Sequence, residues 1–242
     1  MKLYVIPVET ACNASCNFCI TRFRKHAQKE ILDLGDLKKA LEKQILEKIE
    51  ITGGGEPMLH PEIEKVIDIC SEKAKTQLYT NGFLAGTLHN SSKLEYLCIS
   101  RMHQKEDENQ RIMGISYDFS NILELDASIK LSLLLHKSGI SDLPGLKDYL
   151  EWAAGRRNIK KVVVRQLFSQ DYKGKLNSEF ISTQKLCNDA HIKNYKIING
   201  NPAFNFKNLE VEFEYRSCSC EIQNPVLHAD GKLYRGWDLG EL

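Results

Sequence analysis

Apolar and polar positions along the first two thirds of the chain fall into short strand-like runs separated by helix-like stretches. Leu3-Tyr4-Val5-Ile6 opens the series as a buried strand, residues 2–8, that stops near Pro7. Further strands are predicted over residues 49–52, 76–80, 94–100, 128–136 and 161–167. In the fifth of these six, Ile129, Leu131, Leu133 and Leu135 alternate with period two. Residues 36–47 set Leu37, Ala40, Leu41 and Ile45 at helical spacing, with Asp36 as the N-cap. Residues 61–75 do the same with Ile63, Val66, Ile67 and Cys70, and Pro61 sits early, where helices accept it. Residues 143–155 give a helix whose buried side is Leu146, Tyr149, Leu150 and Trp152.

Six strand–helix alternations with connections of this length imply a parallel sheet with right-handed crossovers. Six units are fewer than the eight of a closed barrel. The expected fold class is therefore α/β, a partial (β/α)6 TIM-type barrel open on one side. Past Phe168 the pattern changes: residues 177–191 hold a helix and residues 209–215 alternate as a strand. Residues 226–229 and 232–237 flank Asp230-Gly231, a strong short-range hairpin signal. This divides the chain into a barrel core, residues 1–170, and a C-terminal extension, residues 171–242, that ends in a small hairpin.

Composition narrows the setting. The 242 residues, 42% hydrophobic and 27% charged, are enough to bury a substantial core. A net charge of +1 gives no long-range attraction to nucleic acid or to a membrane surface. The chain starts without a secretory apolar segment and has no run of about 18 apolar residues. A cytoplasmic location is expected, in which the eight cysteines stay reduced or bind metal rather than form disulfides. Cys70 falls on an apolar helix face and reads as a core thiol.

The chemistry gathers in loops that follow predicted strands. Cys12, Cys16 and Cys19 are spaced by three residues and then two, directly after the first strand. Thiolates select zinc or iron–sulfur clusters, and a cubane normally takes four of them. Three local ligands leave one iron free for a substrate or cofactor. The alternative is a structural zinc site completed by His26 or a distant cysteine, but no second C-x2-C pair is present. Gly53-Gly54-Gly55 let the backbone approach a ligand without side-chain clash, or form a plain strand-to-helix turn. Asn81-Gly82 also satisfies turn geometry alone. Arg165 follows three valines and needs a partner if it points inward, because an unpaired buried charge is expensive; it could also point outward between strand and helix. Arg22, Arg24, Lys25 and His26 make a basic stretch: a solvated helix face, or a surface that steers an acidic partner.

These residues together resemble the radical S-adenosylmethionine enzymes. The likeness rests on C-x3-C-x2-C with Phe18 before its third cysteine, Thr52-Gly53-Gly54-Gly55-Glu56-Pro57, and Tyr79-Thr80-Asn81-Gly82. It covers roughly residues 2–170 and points to the branch of the molybdenum-cofactor cyclase and the SPASM/twitch peptide-modifying enzymes. The resemblance implies a 4Fe-4S cluster on Cys12, Cys16 and Cys19, and S-adenosylmethionine as cofactor. Gly54, Gly55, Glu56 and Pro57 would surround the methionine ammonium. Asn81 would lie near the cofactor, as would Ser100 (a second alignment offers Ser116), and Arg165 would grip its carboxylate. The implied reaction is reductive cleavage to a 5′-deoxyadenosyl radical that takes hydrogen from a peptide or small-molecule substrate. The implied electron donor is a low-potential protein of flavodoxin or ferredoxin type. The rival functions are a glycyl-radical-enzyme activase and a non-catalytic zinc-binding interaction module. Cys218-Ser219-Cys220 before the hairpin resembles the start of an auxiliary-cluster domain, yet no cysteine follows Gly236-Trp237. A second metal centre there would need help from His228 or Cys187, and the segment reads as a remnant capping the open barrel.

Overall fold

The computed structural model describes residues 1–23, 25–167, 180–189, 195–198, 200–214, 224–237 and 239. The first half runs β1 (Lys2–Val5), α1 (Leu34–Glu42), β2 (Lys48–Ile51), α2 (Ile63–Lys73), β3 (Lys75–Thr80) and β4 (Tyr96–Ser100). It continues through α3 (Glu106–Met113), α4 (Ser120–Leu123), β5 (Ile129–Leu135), α5 (Leu143–Ala154), β6 (Ile159–Gln166) and α6 (Thr183–Asp189). The remaining strands are β7 (Lys196–Ile198), β8 (Asn201–Phe206), β9 (Leu209–Glu214), β10 (Pro225–Leu227) and β11 (Leu233–Arg235). All lie in one sheet, in the order β11-β10-β1-β2-β3-β4-β5-β6-β9-β8-β7. From β1 to β6 every neighbouring pair is parallel. This is a partial (β/α)6 TIM-type barrel whose sheet does not close.

The period-two alternation separates two chemistries. Leu3, Val5, Ile49, Ile51, Leu78, Leu97, Ile99, Ile129, Leu131, Val162 and Val164 are fully buried in one apolar core. Helix α2 packs against β2 and β3, and α5 against β6, on that side. The alternate positions, among them Glu50, Gln77, Tyr79, Cys98, Lys130 and Arg165, turn to the other face of the pleat, which becomes the polar interior of the half-barrel. Cys70 joins the apolar core as expected.

Two expectations change, and the C-terminal extension gains a detail. Helix α1 is capped by Asp33 rather than Asp36: Asp33 Oδ1 accepts from Gly35 N at 2.7 Å and Asp36 N at 3.2 Å. Asp36 is a first-turn acid, and Ile45, past the end of the helix, is 90% exposed. Over residues 21–30 the described residues form a short 3-10 turn, Ile20–Phe23, and otherwise no regular helix. Finally, the chain after residue 170 adds strands to both edges of the barrel sheet: β9 pairs in parallel with β6, and β10 with β1. The expected hairpin is β10–β11, antiparallel, with Gly231 at φ +79 in its turn. Cys218 and Cys220 lie outside the described residues. Among the described residues no helix is long and apolar enough to cross a membrane.

Candidate functional site

The cysteine loop leaves the C-terminal end of β1 and is fixed by its flanks rather than by its thiols. Glu30 Oε1 accepts from Thr10 N at 2.7 Å and Ala11 N at 2.6 Å, and its Oε2 from Thr10 Oγ1 at 2.8 Å. Glu9 N donates to Glu30 O at 2.9 Å, and Ser15 N to Met113 O at the end of α3 at 2.9 Å. Phe18 lies against the His136 ring with centroids 5.1 Å apart, which anchors the stretch between the second and third thiols.

Glu9, only 1% exposed, is a second anchor. Its Oε1 accepts from Ala27 N at 3.0 Å and lies 3.0 Å from His228 Nδ1, and its Oε2 accepts from Ala229 N at 3.4 Å. His26 Nδ1 stands 3.6 Å from the same carboxylate. Burial pushes the Glu9 carboxyl up, but the bonds from His228, Ala27 and Ala229 outweigh it and hold the carboxyl below its usual range. The hairpin that follows β10 is thus fastened to the root of the cysteine loop. His228, named above as a helper for a second metal centre, meets Glu9 through Nδ1 while its Nε2 is buried with no described hydrogen-bond partner, and Cys187 is buried in the apolar core.

Cys12 is exposed, Cys16 and Cys19 are half-buried, and all three thiols are free. Cys12 Sγ accepts from Ala14 N at 3.4 Å and from Asn81 Nδ2 at 3.8 Å, while Cys16 Sγ donates to Met113 O at 3.7 Å. Burial, then the neighbouring Cys19 and Cys12, push the Cys16 thiol up to about 12. Burial also raises Cys12, with the Ala14 N–H opposing. Crowded thiols of this kind resist ionisation until a cation arrives, and a bound metal centre reverses that balance. Among the described residues no three His, Cys, Asp or Glu side chains converge closely enough for a single metal ion. A zinc shell needs its donors about 2.0–2.3 Å from one ion. A cubane spreads its thiolates over separate irons and does not ask all three to meet on one ion.

The glycine run fills a different need from the one its composition suggests. A Cβ on Gly54 would stand 2.0 Å from Glu9 O, and one on Gly55 2.1 Å from Ala11 O. Gly55 N donates to Val8 O at 3.1 Å and Glu56 N to Ala11 O at 2.8 Å. The missing side chains let this loop lie directly on the segment leading to Cys12, so the close approach is to the chain itself. Pro57 opens the next turn, buried, and Glu56 caps it.

Glu56, 3% exposed, ties that loop to the end of β3. Its Oε1 accepts from Met58 N at 3.1 Å and Thr80 Oγ1 at 2.5 Å, and its Oε2 from Asn81 N at 2.7 Å. Burial raises its carboxyl, and the three donors pull the other way. Asn81 then reaches the cysteine loop, donating to Asn13 Oδ1 at 2.6 Å. Cys12, Gly54, Gly55, Glu56, Pro57 and Asn81 therefore form one connected cluster.

Ser100 and Arg165 belong to a second group on the barrel interior. Ser100 is in register with Ser132 on β5. Arg165 Nε donates to Glu214 Oε2 at 2.5 Å and its Nη1 to Ser132 Oγ at 3.1 Å. Burial works against the guanidinium charge, but Glu214 more than offsets it and holds the group charged. The family resemblance implies a cofactor carboxylate for Arg165; the structure supplies a partner within the chain, because β9 lies beside β6 with Glu214 in register. Ser116, the alternative serine, is exposed beyond α3. Sequence reasoning missed Glu9 and Glu30, and the contact of His228 with Glu9, because these pairings span long stretches of chain and leave no periodic trace.

The Radical SAM superfamily matches residues 6–124. No curated protein sequence matches. Among solved structures, the chain is similar to Streptococcus suis SuiB bound to S-adenosylmethionine, at 16% identity and TM-score 0.70, over 96% of this chain and 59% of that one. It is also similar to anSMEcpe with bound AdoMet, at 16% identity and TM-score 0.65, over 100% and 77% of the two chains. A third is TYW1 with a lysine-pyruvate adduct, at 18% identity and TM-score 0.52, over 80% and 74%. The chain thus spans 59% of the length of SuiB. At these identities the likeness is one of fold.

Proposed function

We propose that the chain, whose residues 6–124 match the Radical SAM superfamily, is a radical S-adenosylmethionine enzyme, that Cys12, Cys16 and Cys19 hold its 4Fe-4S cluster, and that the Glu56–Asn81 corner beside Cys12 seats the cofactor. When bound, the cluster and cofactor supply one-electron cleavage of a sulfonium and a 5′-deoxyadenosyl radical that takes hydrogen from a substrate. The observation that carries the reading is the joining of the three motif loops: Asn81 bonds Asn13 and Cys12, and Glu56 fixes Asn81. The residues act by position. Glu30 and Glu9 hold the root of the cysteine loop, Met113 holds Ser15, and Glu56 aims the Asn81 amide at the site. The glycines let their loop lie against the backbone at Glu9 and Ala11, the segment that leads to Cys12. Ser100 and Arg165 face the interior, where a peptide side chain or small molecule would enter. Arg22 and Lys25 are exposed beside the cysteine loop and give an acidic flavodoxin- or ferredoxin-type donor a place to dock.

The test is anaerobic incubation of reconstituted protein with S-adenosylmethionine and a strong reductant. Release of 5′-deoxyadenosine together with methionine is expected. Protein that carries a full iron complement and still releases neither would overturn the reading.

A further inference from the structure

Lys130 is a buried cation that the proposed chemistry leaves unused. It sits mid-strand on the interior face of β5, in register with Cys98 on β4 and Lys161 on β6, and is 5% exposed. Its Nζ donates to Gln77 Oε1 at 2.5 Å and to Tyr79 OH at 2.7 Å. The ammonium also lies 4.6 Å from the Tyr79 ring centroid and 5.8 Å from that of Tyr96. These partners are all neutral. The other interior cations have carboxylates: Lys2 with Glu50 at 3.0 Å, Lys161 with Glu210 at 2.8 Å and Glu212 at 2.7 Å, and Arg165 with Glu214 at 2.5 Å. Among the described residues, Lys130 has no carboxylate within salt-bridge distance. Burial holds its amine below the usual lysine value, with Cys98 and Glu50 pulling back. Glu50 is the nearby carboxylate that acts on this ammonium, from beyond salt-bridge distance; a desolvated ammonium without a contacting counter-ion is expensive, and an arriving anion relieves that expense.

The surroundings provide further donors for such an anion. One pleat toward the strand ends that carry the cysteine loop, Ser132 and Ser100 stand in register. Ser132 Oγ accepts from Arg165 Nη1 at 3.1 Å, which leaves its own hydroxyl hydrogen free to aim. We propose that Lys130, with Ser132 and Ser100 above it, binds an oxyanion of the substrate, a carboxylate or a phosphate, and so directs the rest of that molecule toward the cysteine loop. Lys130 is then a specificity-determining residue; the direction of the bound molecule rests on the radical SAM reading, while the anion site itself does not.

The test uses reconstituted protein with 13C-labelled lysine side chains, the Lys130 signal being assigned by its loss in Lys130→Gln. Sodium acetate and inorganic phosphate are titrated separately against sodium chloride of equal ionic strength. A saturable shift of the Lys130 signal with acetate alone identifies a carboxylate substrate. With phosphate alone it identifies a phosphorylated one, and with both it supports the oxyanion site in general. Ser132→Ala should weaken the responding anion about tenfold or more, as the loss of a hydrogen bond to a charged group predicts. A Lys130 signal that responds to neither anion beyond chloride overturns the proposal. If that same protein still releases 5′-deoxyadenosine, only the anion site has failed and the reaction class stands.

Discussion

Cys16→Ala is expected to give a folded protein that cannot hold a complete cluster and whose cofactor cleavage falls to background. The geometry separates the two effects. Cys16 is half-buried, and the one described bond of its thiol, to Met113 O at 3.7 Å, is long and weak. The loop around it is held instead by Glu30, by Ser15 N on Met113 O, and by Phe18 on His136. Losing the thiol should therefore lower stability by no more than about 1 kcal/mol, while it removes one of the three proposed ligands. Iron analysis and absorbance near 400 nm after anaerobic reconstitution measure the loss. Cys70→Ala is the comparison: that thiol is fully buried in the apolar core. It should cost about 1–2 kcal/mol in packing and leave the iron content unchanged. A Cys16→Ala protein with the full iron complement would remove Cys16 from the ligand set.

Gly55→Ala should produce a large stability loss for so small a substitution. Its Cβ would lie 2.1 Å from Ala11 O and 2.9 Å from both Ala11 C and Ala11 N, all backbone atoms that no rotamer change can move aside. The two loops must separate. That strains the Gly55 N to Val8 O and Glu56 N to Ala11 O bonds and drags Glu56 away from Thr80 and Asn81. Overpacking of about 1–3 kcal/mol and one or two weakened hydrogen bonds give a loss of about 3 kcal/mol or more, readable in thermal or denaturant melts. Gly155→Ala, at the end of α5, is the contrast. Gly155 has φ −70, and the nearest atom to its added Cβ is 3.6 Å away. There the change should be neutral or stabilise slightly. Equal melts for the two variants would show that the glycine run does not join the loops as described.

What the sequence made legible was local. The six parallel strands and the hairpin at Asp230-Gly231 follow from period-two runs and turn residues read over a few positions. The motif loops likewise fall at strand ends because Cys12, Gly54 and Asn81 each come directly after an apolar run. What stayed hidden depends on which distant segments meet. Glu9 pairs with His228 across 219 positions, and Thr10 with Glu30 across 20. Arg165 finds Glu214 only because β9 lies beside β6, a pairing no hydrophobic pattern specifies. The glycine run shows the same limit in reverse. Its need for close approach was readable, but the neighbour it approaches is the Glu9–Ala11 backbone. Asp33 and Asp36 were both chemically able to cap α1, and only the fold chooses between them.

The decisive measurement is the electron paramagnetic resonance spectrum of the anaerobically reconstituted, reduced protein, recorded before and after S-adenosylmethionine is added. A cluster on three cysteines with an iron open to the cofactor predicts a reduced-cluster signal whose line positions shift on addition. A signal that is identical in both spectra, or a protein that yields no cluster signal at all, would contradict the account at its root.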